Sequence, residues 1–200
     1  MSAALWPYQT PGIPDHLFER LPGIPMSQRE LRLLLISHLQ IKADAVVWDI
    51  GAGTGTISVE VGLLCPKSQI FAVERDEEVA GLIQRNCDRF NVTNVTVIAG
   101  SAPACLSKLT ATPDCVCIEG GRDIRAILQA TWLRLGSKGR VVATAYSLEN
   151  LYTISEQMSE LQARNVAVVQ SAINRLETRG NHQVFVAVDP TFILSGEKFV

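Results

Sequence analysis

From Ala45 onward the chain alternates short apolar runs with stretches of helical periodicity, and nothing else in it constrains the fold as strongly. The apolar runs are AVVWDI (45–50), QIFAV (69–73), VTVIA (95–99), DCVCI (114–118) and RVVATA (140–145). Helical patterns fill the gaps at 56–64, 76–90 and 123–135, with a shorter segment at 103–109. Continuous apolar strands separated by helices are buried on both faces, which predicts a parallel sheet with helices packed on each side. A further helix at about 148–164 precedes NVAVVQSAINRLE (165–177) and HQVFVAVD (182–189). Arg179, Gly180 and Asn181 form the turn that joins these two into an antiparallel hairpin. The expected fold is α/β: a doubly wound, seven-stranded, mostly parallel sheet with a C-terminal antiparallel hairpin, residues 1–200 forming one domain.

The segment before this alternation has a different character. Residues 1–26 are rich in proline, including PGIPD at 11–15 and PGIP at 22–25, and proline fixes φ and restricts its predecessor. This predicts an extended arm, either a lid or a docking strap, leading into a core over 27–200. Ser27 and Glu30 stand in capping-box spacing at the start of SQRELRLLLISHLQ. Leu31, Leu34, Leu35 and Leu39 share one helical stripe, with Arg29, Arg32, Ser37 and Gln40 mostly off it. His38 sits beside the stripe as a packed or partly exposed side chain.

Composition excludes several classes of function. The 200 residues are 47% hydrophobic and 19% charged, with a formal net charge of −2, so general attraction to nucleic acid or an anionic membrane is not expected. No apolar run has the length of a transmembrane helix, and the start lacks the basic and apolar regions of a signal peptide. The five cysteines show no C-x-x-C spacing, so neither a disulfide framework nor a metal site is expected, and Cys115 and Cys117 read as small hydrophobes on one strand face. These features predict a cytoplasmic protein.

The stretch VVWDIGAGTGTISVE (46–60) carries the chemistry. Glycines after a first strand allow a tight turn and close approach of a ligand to bare backbone, while the next helix offers unpaired N–H groups. The pattern is G-x-G-x-G: Thr56 stands where a Rossmann dinucleotide loop has its third glycine, and no Gly-Lys-Ser/Thr of a P-loop follows. The second strand ends at Glu74, about twenty residues on, where a carboxylate can accept from both hydroxyls of a ribose. The third ends in GSAP, where Ala102 can lie beside an adenine. Three strand ends thus offer a glycine cradle, a ribose acceptor and a base pocket, which suits a nucleoside without a pyrophosphate.

This constellation resembles the class I S-adenosylmethionine-dependent methyltransferases over about residues 46–189. The flanking motifs narrow the resemblance. GIPD (12–15) with Phe18, GIPMSQRELR (23–32), VVWDIGAGTGTISVE, GSAPACL (100–106) and GRVVATAYSLENL (139–151) occur in the order and spacing of the decarboxylating precorrin methyltransferases of cobalamin biosynthesis. By that resemblance S-adenosylmethionine is the cofactor, and its expected contacts are Ser27, Asp49, Gly51, Ala52, Gly53, Thr54, Gly55, Glu74 and Ala102. The implied substrate is cobalt-precorrin-6B or its metal-free counterpart, methylated at ring carbon 15 and stripped of the carboxylate on the ring C acetate. The resemblance also implies a homotetramer. The chain departs from the family at two places: Ser101 replaces the aspartate of GDAP, and EGGRD (119–123) replaces a glycine-rich GGSGG.

A substrate bearing many carboxylates suits arginine, whose planar fork binds both oxygens. Arg29, Arg122 and Arg125 are the candidate contacts, with Arg20 if the arm folds over the site; surface charge is the plainer alternative for each. Glu119, and His16 from the arm, are candidates to orient substrate or move a proton. Other readings are a class I methyltransferase acting on RNA, another small molecule or a protein, and a non-catalytic nucleoside-binding module.

Overall fold

A computed structural model of the chain describes residues 4–120 and 122–199. Residues 1–3 of the predicted arm and Gly121 of the EGGRD run lie outside them.

Seven strands form one twisted sheet. In chain order the elements are α1 (Arg29–Leu39), β1 (Val46–Ile50), α2 (Thr56–Leu64), β2 (Gln69–Glu74), α3 (Glu77–Phe90), β3 (Val95–Ala99), β4 (Cys115–Ile118), α4 (Ile124–Arg134), β5 (Arg140–Ala145), α5 (Leu148–Glu160) and β6 (Arg164–Ser171). Then come β7 (Asn174–Arg179), β8 (His182–Ala187) and β9 (Thr191–Glu197). The sheet order is β3-β2-β1-β4-β5-β9-β6. All pairings from β3 to β5 are parallel, and β9 runs antiparallel to both β5 and β6.

The doubly wound sheet follows from the two-residue period of its strands. Trp48 and Ile50 of β1 point into a layer with Ile127, Leu128 and Trp132 of α4 and Ile154 of α5. Val47 points the other way, among Leu31, Leu35 and Leu39 of α1 and Ile57 and Val61 of α2. The leucine stripe read on α1 therefore packs as expected, although Leu34 is only partly buried. Cys115 and Cys117 lie in that second layer as free, buried thiols, and burial pushes both upward in pKa.

Two expectations need correction. The hairpin exists, β7 pairing with β8, but it forms a separate two-stranded sheet and does not close the main one. The antiparallel strand of the main sheet is β9, a segment the sequence reading left unassigned. β9 sits between two strands and buries Ile193 and Leu194 completely, whereas the hairpin leaves Leu176 and Phe185 exposed. Secondly, Ser27 and Glu30 form no capping box: the α1 N-cap is Gln28, with no side-chain cap. Both side chains are engaged elsewhere.

The arm is docked. Ile13 and Phe18 are buried against Ile83, Cys87 and Phe90 of α3. Arg32, expected off the apolar stripe, is completely buried and organises the contact. Its guanidinium donates to Glu60 (2.9 Å), Asp15 (2.8 Å), the Ser27 carbonyl (2.5 Å) and the Ile13 carbonyl. Glu60 in turn accepts from the backbone N–H of Gly12 (2.8 Å) and Ile13 (3.0 Å). A buried ion pair is tolerable when its remaining hydrogen-bonding capacity is filled, and here the arm fills it. Asn86 of α3 adds a second clasp, accepting from Glu19 N (2.8 Å) and donating to the carbonyls of Glu19 (3.1 Å) and Thr54 (2.9 Å).

Candidate active site

The carboxyl ends of the central strands open onto a cavity of about 920 Å³, roofed by the arm and the base of the hairpin. Open α/β sheets bind ligands on this side.

One half of the cavity is made of backbone. Gly51 and Gly53 have φ of +76° and +53°, a region that L side chains avoid. A β-carbon on Gly51 would collide with the Glu119 carbonyl, whose carbon lies 3.2 Å from that position, so glycine is required for β1 and β4 to end side by side. A β-carbon on Gly53 would meet nothing closer than the Pro25 carbonyl at 3.5 Å, so the space beside it is open to a ligand. Ala52 and Thr54 also line the cavity. At the end of β2, Glu74 accepts from the backbone N–H of Gly53 (3.1 Å), Arg75 (2.8 Å) and Asp76 (3.1 Å). Ala102 lines the wall beside Val73 and Ser101.

Three of the expected cofactor contacts lie off this wall: Ser27, which lines the facing half, and Asp49 and Gly55, which do not line the cavity. Asp49 lies beneath the loop, fully buried, and does not line the cavity. One of its oxygens accepts from Ser58 Oγ at 2.6 Å and the other has no partner among the described residues. Burial, only partly offset by Ser58, raises its pKa to about 6. Gly55 is also off the wall: a β-carbon there would lie 2.7 Å from Ile83 Cγ2, so this glycine serves the packing of α2 on α3.

The other half is made of side chains from distant segments. Ser27 of the arm donates its hydroxyl hydrogen to Glu119, just past the end of β4. Burial first, and then the charge of Asp49, push the Glu119 carboxyl up to about 8, against the lowering effects of Ser27 and Arg32. Arg122 and Tyr146 line the same half, with Ile173 and Val188 flanking the hairpin and Thr191 opening β9. The sequence reading missed all but Arg122 of these. Glu30, at the start of α1, pairs with Arg175 of β7, which also donates to Asp15 at 3.0 Å and ties the hairpin to the arm.

The other proposed substrate contacts are not brought in. Arg29 packs its side chain over Gly12, and its N–H donates to Asp15 at 2.9 Å. Arg125 reaches back to Glu156 and Glu160 on α5. Arg20 lines a neighbouring pocket of about 310 Å³ under the hairpin, together with Arg175. His16, in a short 3-10 turn of the arm, lines neither space.

The donor set fits a nucleoside with a cationic amino-acid tail. Glu74 faces the cavity as an acceptor, the bare backbone at Gly53 leaves room for close approach, and the orphaned oxygen of Asp49 adds negative charge beneath the loop. Among the described residues there is no cluster of three or more metal-ligating side chains, and no helix is long and apolar enough to cross a membrane.

Strand order and glycine loop together define a class I methyltransferase fold. A crystal structure of an S-adenosylmethionine-dependent O-methyltransferase from Thermotoga maritima shares that fold alone, with a TM-score of 0.74 at 16% identity. The chain itself belongs to the precorrin methyltransferase family, whose domain model matches residues 21–198. It is 37% identical over 192 residues to a probable cobalt-precorrin-6B C(15)-methyltransferase (decarboxylating) from Pyrobaculum calidifontis, covering 95% of this chain and 97% of that one. It is 30% identical over 185 residues to the cobalt-precorrin-6B C(15)-methyltransferase (decarboxylating) of Salmonella typhimurium, covering 92% of this chain and 95% of that one. A precorrin-6y C5,15-methyltransferase structure from Geobacter metallireducens superposes with a TM-score of 0.82 at 32% identity, covering 94% of this chain and 96% of that one.

Proposed function

We propose that this chain methylates carbon 15 of cobalt-precorrin-6B, or its metal-free counterpart, from S-adenosylmethionine, and releases the carboxylate of the ring C acetate as CO2. The observation that carries this reading is one cavity with two unlike halves, a backbone cradle with Glu74 on one side and Ser27, Glu119 and Arg122 on the other. S-adenosylmethionine supplies an activated methyl group on a sulfonium. The chain's own part is placement: Glu74 receives the ribose hydroxyls, the backbone of Gly51, Ala52, Gly53 and Thr54 receives the methionine end, and Ala102 lies beside the base. Asp49 acts from beneath the loop rather than by touching the ligand. Arg122 holds a substrate carboxylate, while the arm and hairpin shut out water. Orientation of this kind lowers a barrier by removing freedom in advance.

Support comes from the family match across most of the chain and from the activity for which its relatives are named. The test is purified protein with cobalt-precorrin-6B and methyl-labelled S-adenosylmethionine, followed by mass spectrometry. The reading predicts a product one methyl heavier and one CO2 lighter. Cofactor binding with an unchanged ring would overturn it in favour of a binding module or a methyltransferase for another substrate.

A further inference from the structure

Replacing an acetate carboxylate by hydrogen needs a proton at the carbon that CO2 leaves. We propose that Glu119 delivers this proton, with the Ser27 hydroxyl holding its carboxyl toward the substrate half of the cavity. The proposal rests on the function given above and deepens it.

Geometry singles out Glu119 among the acids of the cavity wall. Glu74 lies on the cofactor side at the end of β2, accepting from three backbone N–H groups. Asp76 caps α3, accepting from Glu78 N and Val79 N, and Asp123 caps α4 through Ala126 N. Glu30 is ion-paired with Arg175; although burial opposes it, that partner keeps its pKa low. Asp189 stands exposed at the exit of the hairpin. Glu119 alone is set against an arm hydroxyl, with Oε2 accepting from Ser27 and Oε1 without a partner among the described residues. Its backbone is clamped, since its N–H donates to the Ile50 carbonyl at 2.9 Å and its own carbonyl abuts Gly51.

Its surroundings suit a proton donor at neutral pH. The groups facing it are Asp49 from β1, Cys117 from β4, Arg32 from α1, Ser27 from the arm and Tyr146 just past β5. With a pKa near 8, Glu119 keeps a proton at pH 7 and still gives it up readily. Tyr146 is pushed up to about 12 by burial of its hydroxyl end and by the charge of Glu119, so it holds its proton much more tightly.

In the step, the bond between the acetate methylene and its carboxylate breaks, and CO2 departs. The electron pair left on the methylene delocalises into the conjugated ring. The carbon then takes the proton from Glu119 and becomes a methyl group, and Glu119 is left as carboxylate. A solvent proton restores it for the next turnover, so atoms and charge balance without an oxidant or reductant.

Glu119→Gln keeps an acceptor for Ser27 and removes the proton. Methyl gain and CO2 loss are followed separately by mass, with cofactor affinity by calorimetry. The expected result is cofactor binding within about threefold, methyl transfer retained, and CO2 loss slowed at least about 100-fold, the lower end of general-acid effects, so that a methylated, acetate-bearing ring accumulates. In the wild type, CO2 loss falls as pH rises through about 8, and this limb disappears in the variant. Ser27→Ala leaves the acid in place and removes a hydrogen bond that favours its ionised form, so the limb moves to higher pH. Unchanged decarboxylation in Glu119→Gln, an unmoved limb in Ser27→Ala, or equal loss of both reactions would overturn the proposal. A wild type that alters neither mass would instead overturn the assigned function, and the proposal with it.

Discussion

The two halves of the cavity are built on opposite principles. The cofactor side is made of main chain at the ends of β1, β2 and β3, and its shape depends on residues lacking a side chain. The facing side is made of side chains that the arm, the end of β4 and the segments flanking the hairpin bring together, as in the Ser27–Glu119 hydrogen bond between residues 92 apart in sequence. The first half is held by the sheet itself. The second is held by ion pairs and clasps around Arg32 and Asn86, the latter also donating to the Thr54 carbonyl of the glycine loop. A shared cofactor and changing substrates suit that division.

Arg32→Met should have the largest effect. It strands the buried Glu60 carboxylate and frees the arm, at a cost of about 3–5 kcal/mol. Denaturant unfolding measures the loss, and limited proteolysis should then cut ahead of residue 27. The comparison breaks if nucleoside affinity collapses by more than tenfold, because the cofactor half would then depend on the arm.

Next come two glycines of one loop. Gly55→Ala forces a β-carbon onto Ile83 at φ +79° and should cost about 2–3 kcal/mol of stability, with cofactor affinity nearly unchanged. Gly53→Ala meets no protein atom closer than 3.5 Å and should cost only about 1–2 kcal/mol, the penalty of its left-handed backbone. It should nevertheless weaken cofactor binding tenfold or more. Paired melting and calorimetry decide, and reversal of the two patterns would undo the assignment of Gly53 to the ligand.

The smallest effect is on pH. Folded Glu119 and Asp49 bind protons more tightly, near 8 and 6, than their ordinary 4.5 and 3.8. The folded state therefore carries the extra protons between those values, and the two groups make stability fall as pH rises from about 4 to 8, with no further effect above. Glu119→Gln should flatten the part of that slope between pH 6 and 8 in denaturant titrations. An unaltered slope would show that burial of Glu119 does not govern it.

What the sequence disclosed follows the same division. Gly51, Gly53, Glu74 and Ala102 were legible because each sits at a strand end set by local patterning, and the sheet then aligns those ends. β9 escaped because the hairpin and β9 both look extended. The continuous run Phe192, Ile193, Leu194 marks a strand enclosed on both sides, while the alternating pattern of His182–Ala187 marks one with a free face. Ser27 and Glu30 carried a helix-start signal, but Glu119 and Arg175 compete for them from 92 and 145 residues away. Arg32 looked like surface charge because its partners, Asp15 and Glu60, lie 17 and 28 residues off in opposite directions. Glu119 was visible as an acid at a strand end; its raised pKa comes first from burial and then from Asp49 of the neighbouring strand, which strand pairing brings close.

A crystal structure with S-adenosylhomocysteine tests the division of the cavity most directly. The ribose hydroxyls should lie within hydrogen-bonding distance of the Glu74 carboxylate, with the amino-acid tail along Gly51, Ala52 and Gly53 and the sulfur facing the side of Glu119 and Arg122. A nucleoside bound among Ser27, Tyr146 and Val188, with Glu74 still holding the Gly53 N–H, would contradict it.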